Sequence, residues 1–115
     1  MATLQSTRSS GIGLVFPGQG SQSVGMGKAL FAADPGIKSL YEEASSVLGY
    51  DIAALCFEGP AERLNLTEYT QPALLVSSMA ALYAFKPLGI SPVAVAGHSL
   101  GEYSALVAAL SLIHI

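Results

Sequence analysis

Apolar residues change their spacing several times along the chain, and each change marks an element. Residues 12–16, IGLVF, form a short apolar run stopped by Pro17-Gly18, the pattern of a buried strand breaking into a loop. A cluster of Gly, Gln and Ser follows with no clear period. From Asp34-Pro35 the spacing turns helical. Asp34 can cap, Pro35 suits the first turn, and Ile37, Leu40, Tyr41, Ala44, Val47 and Leu48 recur on one face until Gly49. Asp51 opens a shorter helical run through Ile52, Leu55 and Cys56, which Gly59-Pro60 closes ahead of a brief AERL turn. A long, buried helix is expected from near Thr70-Gln71-Pro72 to just before Pro87-Leu88-Gly89. Residues 93–96, VAVA, supply a second strand by length and β-branching, and Tyr103, Leu106, Val107 and Leu110 then return to helical spacing.

This order of strand, several helices, strand, sharp turn and helix predicts an α/β fold. Strands joined by helical crossovers lie parallel, so the two strands should pair with their carboxyl ends on the same edge. Parallel sheets are normally wider and covered on both faces. Two strands therefore read as the beginning of a sheet, and no internal repeat extends it.

Composition narrows the function. The chain has 115 residues, 51% of them hydrophobic and only 11% charged, enough apolar material for one folded unit. The longest candidate, residues 73–85, carries Ser77 and Ser78 and falls short of the roughly 20 residues a membrane span needs. The opening MATLQSTRSS, residues 1–10, is a polar lead without the apolar core of a secretory signal, so a cytoplasmic location is expected. A net charge of -3 with Arg8, Lys28, Lys38, Arg63 and Lys86 scattered singly excludes the basic footprint of a nucleic-acid binder. The single Cys56 permits neither an internal disulfide nor a Cys-x-x-Cys metal site, and reads as a buried thiol; no metal is expected.

The candidate chemistry lies at residues 97–101, GHSLG. This G-x-S-x-G follows a strand and precedes a helix, the context in which a tight turn lifts a serine hydroxyl above a sheet edge, so Ser99 is a candidate nucleophile. The same residues have a structural reading, because Ser99-x-x-Glu102 is a capping box. Glu102 fits a capping role better than that of a catalytic acid. His98 adjoins the serine, but neighbours in a tight turn point apart, so it reads as a supporting or substrate-contacting residue. His114 is the only other histidine, and no catalytic pair can be assembled from these residues.

Acyl chemistry at a serine needs N–H donors for the oxyanion. The elbow offers the backbone N–H of Leu100, and a second donor must come from another loop. Pro17-Gly18-Gln19-Gly20-Ser21 leaves the carboxyl end of the first strand, where parallel pairing would bring it beside the elbow, and its glycines let Gln19 approach a ligand closely. Two rival readings are a purely structural glycine turn and a phosphate-binding loop, but for the latter Gly18, Gly20 and Gly25 miss the dinucleotide spacing and no Gly-Lys-Ser/Thr follows.

Three stretches, FPGQGSQ at 16–22, LTEYTQPALL at 66–75 and GHSLGEYSALVAA at 97–109, together resemble bacterial malonyl-CoA:acyl carrier protein transacylases. They are less similar to the acyltransferase domains of polyketide and fatty acid synthases. The resemblance covers residues 12–109. It implies a serine acyltransferase that takes malonyl from malonyl-CoA and passes it to the phosphopantetheine thiol of acyl carrier protein in fatty acid biosynthesis, with no cofactor. It gives Ser99 as nucleophile, the backbone N–H groups of Gln19 and Leu100 as oxyanion donors, and Gln71 and His98 as substrate-binding residues, although Gln71 also suits a polar helix start. It implies an α/β-hydrolase-like large subdomain with a ferredoxin-like small one inserted, of which this chain carries only the start of the former. The base histidine and the carboxylate-binding arginine of the family lie further along than this chain runs. The whole protein is expected to be a monomer and the 115 residues alone inactive.

After SALVAA the family normally continues with Gly, whereas residues 110–115 read LSLIHI. CTG TCT CTT ATA CAC ATC, the start of a transposon end used to prepare sequencing libraries, encodes those six residues. Residues 11–109 are therefore expected to be the native acyltransferase segment and residues 110–115 a translated adapter. Two other functions share parts of the pattern. A lipase- or esterase-type hydrolase uses the same elbow but favours an HGGG-like oxyanion loop, which PGQGSQ is not. A non-catalytic, partner-binding chain would use the serine for structure only.

Overall fold

The computed structural model describes residues 8–9 and 11–113. Its elements are β1 (Arg8–Ser9), β2 (Gly13–Phe16), α1 (Lys28–Ala33), α2 (Pro35–Leu48), α3 (Ile52–Glu58), α4 (Ala61–Leu64), α5 (Thr67–Phe85), a 3-10 turn (Lys86–Leu88), β3 (Ile90–Ser91), β4 (Ala94–Gly97) and α6 (Gly101–Ile113). Of the polar lead, Arg8 and Ser9 form a strand; residues 1–7 and 10 lie outside the described residues, as do His114 and Ile115 of the tail.

The fold is α/β with parallel strands, as the element order predicts. β2 pairs with β4 from Gly13↔Ala94 to Phe16↔Gly97, and β1 pairs with β3 at Arg8↔Ile90 and Ser9↔Ser91. Between the two ladders the Val93 N–H donates to the Ile12 carbonyl at 2.9 Å. Both main strands lie within one residue of their expected bounds.

Two hydrophobic clusters share α5. On one side Ile37 and Tyr41 of α2, Ile52, Leu55 and Cys56 of α3, and Leu64 of α4 pack against Ala73, Val76 and Ala80. Phe31, Tyr41 and Phe57 close this cluster with ring centroids 5.1–5.6 Å apart. On the other side Leu82 packs with Phe16 of β2 and with Ala105 and Ala108 of α6, flanked by Leu14, Met79, Phe85 and Val95. A helix buried on both sides must be apolar nearly all round, which is why α5 shows no single apolar stripe.

Caps follow the sequence. The Asp34 carboxylate accepts the Gly36 N–H at 2.8 Å, Pro35 occupies the first turn of α2, and Gly49 closes it in the left-handed region (φ 83°). Asp51 accepts from the Ala54 N–H at 3.0 Å. Two elements differ from expectation. α1 forms in the stretch without a period, held by Phe31 rather than by a cap side chain. α5 starts at Thr67, not near Thr70, so Pro72 lies inside it. Its extra turn is secured by Thr70, buried, whose hydroxyl donates to the carbonyls of Leu64 and Leu66.

Candidate active site

Parallel pairing delivers two loops to one edge of the sheet. β2 runs into Pro17–Ser21 and β4 into the turn at His98–Leu100, and the His98 N–H donates to the Phe16 carbonyl at 3.0 Å across the gap. The turn is as tight as its glycines demand. A Cβ at Gly97 would overlap the Gly101 carbonyl and the Glu102 nitrogen; one at Gly101 would overlap the Phe16 carbonyl. A Cβ at Gly18 would overlap the His98 carbonyl and stand 3.1 Å from the His98 Nδ1, so the loops touch backbone to backbone.

Ser99 sits at the apex, exposed, with φ 55°. Among the described residues it alone, other than glycines, has a positive φ. That conformation costs a serine about 1–3 kcal/mol and persists only because its surroundings impose it. It also decides against the capping box. An N-cap residue is extended, whereas Ser99 is left-handed, and the Glu102 N–H donates to the Ser99 backbone carbonyl at 3.0 Å rather than to its hydroxyl. Glu102 is exposed in the first turn of α6, where a carboxylate suits the positive helix end.

The other candidates take distinct places. Among the described residues, neither the Gln19 nor the Leu100 backbone N–H has an acceptor, one on each loop. His98 is exposed and lies beside Gly18, with no hydrogen bond to Ser99. Gln71 is exposed on α5, one turn beyond Thr67 and on the face that continues through Leu74 and Ser78. Leu74 and Ser78 line an apolar cavity of about 400 Å³ that opens beside Phe16, Pro17 and Ser21. Sequence reasoning missed the way the first loop is held. The Gln19 Nε2 donates to the Thr67 Oγ1 at 2.9 Å and the Gln22 Nε2 to the Asn65 Oδ1 at 2.8 Å. Asn65 and Thr67 lie between the AERL turn and the helix start expected near Thr70.

Cys56 belongs to the core. It is fully buried, and burial pushes its thiol up to about 11, well above the reactive range. Burial likewise raises the Tyr41 phenol, against the smaller opposite effect of its 3.2 Å hydrogen bond with Ser77.

The acyl transferase domain model matches residues 14–115, which include both loops and the whole helical layer. The chain belongs to the acyl transferase domain family. Among relatives of the acyl transferase domain family, the chain is 55% identical over 101 residues to the malonyl CoA-acyl carrier protein transacylase of Bacillus subtilis, covering 88% of this chain and 32% of that protein. The crystal structure of an acyl carrier protein S-malonyltransferase from Vibrio cholerae superposes with TM-score 0.82 at 53% identity, over 87% of this chain and 33% of that one. A malonyl-transacylase solved in complex with its type II PKS acyl-carrier protein gives TM-score 0.81 at 52% identity, over 87% and 33% of the two chains. These likenesses bear out the resemblance carried by the three motifs. The chain spans about a third of the length of the relatives it matches. Among the described residues, no helix is long and apolar enough to cross a membrane.

Proposed function

We propose that the whole protein carrying this chain is an [acyl-carrier-protein] S-malonyltransferase of fatty acid biosynthesis, acting in the cytoplasm as a monomer. Malonyl-CoA is the donor and the phosphopantetheine thiol of acyl carrier protein the acceptor. The observation that carries this reading is the left-handed Ser99 between two loops, each with a backbone N–H that has no acceptor among the described residues.

In the first half-reaction the Ser99 Oγ attacks the malonyl thioester carbonyl while a base takes its proton. The oxyanion is received by the N–H groups of Gln19 and Leu100. The carbon–sulfur bond then breaks, and coenzyme A leaves as a thiol, protonated by the same base. In the second half the carrier thiol attacks the malonyl-serine ester, the carbon–oxygen bond breaks, and Ser99 recovers its proton. Gln71 and His98 border the substrate. The base histidine and the arginine that meets the malonyl carboxylate are assigned to the part of the protein outside this chain, together with the rest of a hydrolase-like large subdomain and a ferredoxin-like small one. The 115 residues alone are accordingly inactive. Residues 110–115 are read as adapter, which the underlying codons test.

Incubating the complete protein with malonyl-CoA and mapping the adduct by peptide mass spectrometry tests the mechanism. Malonate on Ser99, absent in Ser99→Ala, is expected; an unmodified serine during full turnover overturns it. A second reading, service to a polyketide carrier, is favoured by the likeness to the transacylase solved with a type II PKS acyl-carrier protein. Comparing kcat/KM with the two kinds of carrier separates them.

A further inference from the structure

The Pro17–Ser21 loop is rich in glycine, and its own backbone offers one turn bond, from the Ser21 N–H to the Gly18 carbonyl at 3.3 Å. Its position must come from what it touches. On the elbow side Gly18 abuts His98. On the opposite side two primary amides reach to the start of α5. Gln19 donates through Nε2 to the Thr67 hydroxyl at 2.9 Å. Gln22 spans the gap, accepting the Gly20 N–H on Oε1 and donating through Nε2 to the Asn65 Oδ1, both at 2.8 Å.

The receiving corner is rigid. Leu64 is buried at 1% exposure, the Asn65 N–H donates to the Ala61 carbonyl at 2.9 Å, and the Thr70 hydroxyl ties the Leu64 and Leu66 carbonyls. The Gln19 side chain is engaged by Thr67, and among the described residues its backbone N–H has no acceptor. We propose that Asn65 and Thr67 are positioning residues, which hold the Gln19 loop at the distance from Ser99 that an oxyanion donor requires. The inference rests on the acyl-serine reading above and adds to it the residues that set one of its two donors. All three tethers are exposed, so they contribute little to overall stability and their effect on geometry can be measured separately.

The test is rapid-quench measurement of Ser99 acylation by malonyl-CoA in the complete protein, with Thr67→Val, Asn65→Leu and their combination against Thr67→Ser and Asn65→Asp. The combined variant should acylate about 10- to 100-fold more slowly, up to the cost of a misplaced donor and below that of most missing ones, with KM for malonyl-CoA nearly unchanged. Thr67→Ser and Asn65→Asp keep an acceptor oxygen and should recover most of the rate. Acylation at the parent rate in the combined variant overturns the proposal. So does slowing that follows the loss of folded protein seen by circular dichroism, or slowing that the Ser and Asp variants fail to relieve. Ser99→Ala separates the two levels: an inactive Ser99→Ala beside a fully active combined variant removes this inference alone, whereas full turnover in Ser99→Ala removes the acyl-serine reading and this inference with it.

Discussion

At the scale of single residues, the elbow joins strain to sterics. Ser99 holds a left-handed conformation that serine disfavours, and Gly97 and Gly101 leave no room for a side chain. Gly101→Ala should therefore cost more than its small size suggests, because the added carbon meets the Phe16 carbonyl and would push the two loops apart. On the proposed function, the complete protein with this change should lose at least about tenfold in kcat, read by malonyl transfer to carrier protein. Cys56 makes the opposite point, since nothing in its setting activates it. With its folded pKa about 11 against an ordinary 9.0, at pH 8 the folded thiol should react with a disulfide reagent roughly a hundredfold more slowly than the denatured one. The folded state holds this proton more tightly, so the Cys56 contribution to stability is complete below pH 9 and is lost as pH rises through about 11. G-x-S-x-G and the lone cysteine were legible because each carries its geometry in residue type. The tethers of Gln19 and Gln22 were not, because their partners at Thr67 and Asn65 lie 48 and 43 positions away.

At the scale of elements, legibility followed the strength of local signals. α2 has a cap, a first-turn proline, an apolar stripe and a closing glycine, and it starts and stops where those signs place it. Asp34→Ala should destabilise the complete protein by about 1 kcal/mol in urea unfolding, since the Gly36 N–H loses its acceptor. α1 has six residues, no capping side chain and no apolar repeat, so only the packing of Phe31 against Tyr41 and Phe57 reveals it. The sequence places the start of α5 near Thr70-Gln71-Pro72, whereas the helix begins at Thr67 and Pro72 lies inside it. Thr70 adds backbone tethers upstream that outweigh the signal of the ring. Removing them with Thr70→Val should fray the Thr67 turn and speed amide exchange at Tyr69 and Thr70, while the interior of α5 remains protected.

At the scale of the molecule, among the described residues the β2–β4 ladder is packed on one face and exposed on the other. Leu14, Phe16 and Val95 pack with α5 and α6, while Val15 is 81% exposed and Val93, just ahead of β4, 59% exposed. Tyr103, Leu106 and Leu110 extend apolar surface along α6. Parallel strands are ordinarily buried on both sides, and such surface drives association. The 115 residues by themselves should therefore bind a hydrophobic dye and elute from size exclusion as more than one chain. A monomeric peak without dye binding would contradict this. The α/β class and the parallel pairing were legible from element order, which fixes how crossovers connect strands; the cover for the open face is not written in these residues. The ladder from Gly13↔Ala94 to Phe16↔Gly97 joins the two ends of the described chain, whereas α2 and α3 contact close neighbours in sequence. During synthesis the helical layer can consequently condense first, and β2 must wait unpaired until β4 leaves the ribosome. The edge that carries Ser99 thus assembles after α1 to α5, and a nascent chain arrested before residue 94 would carry those five helices without the β2–β4 pairing that sets the edge.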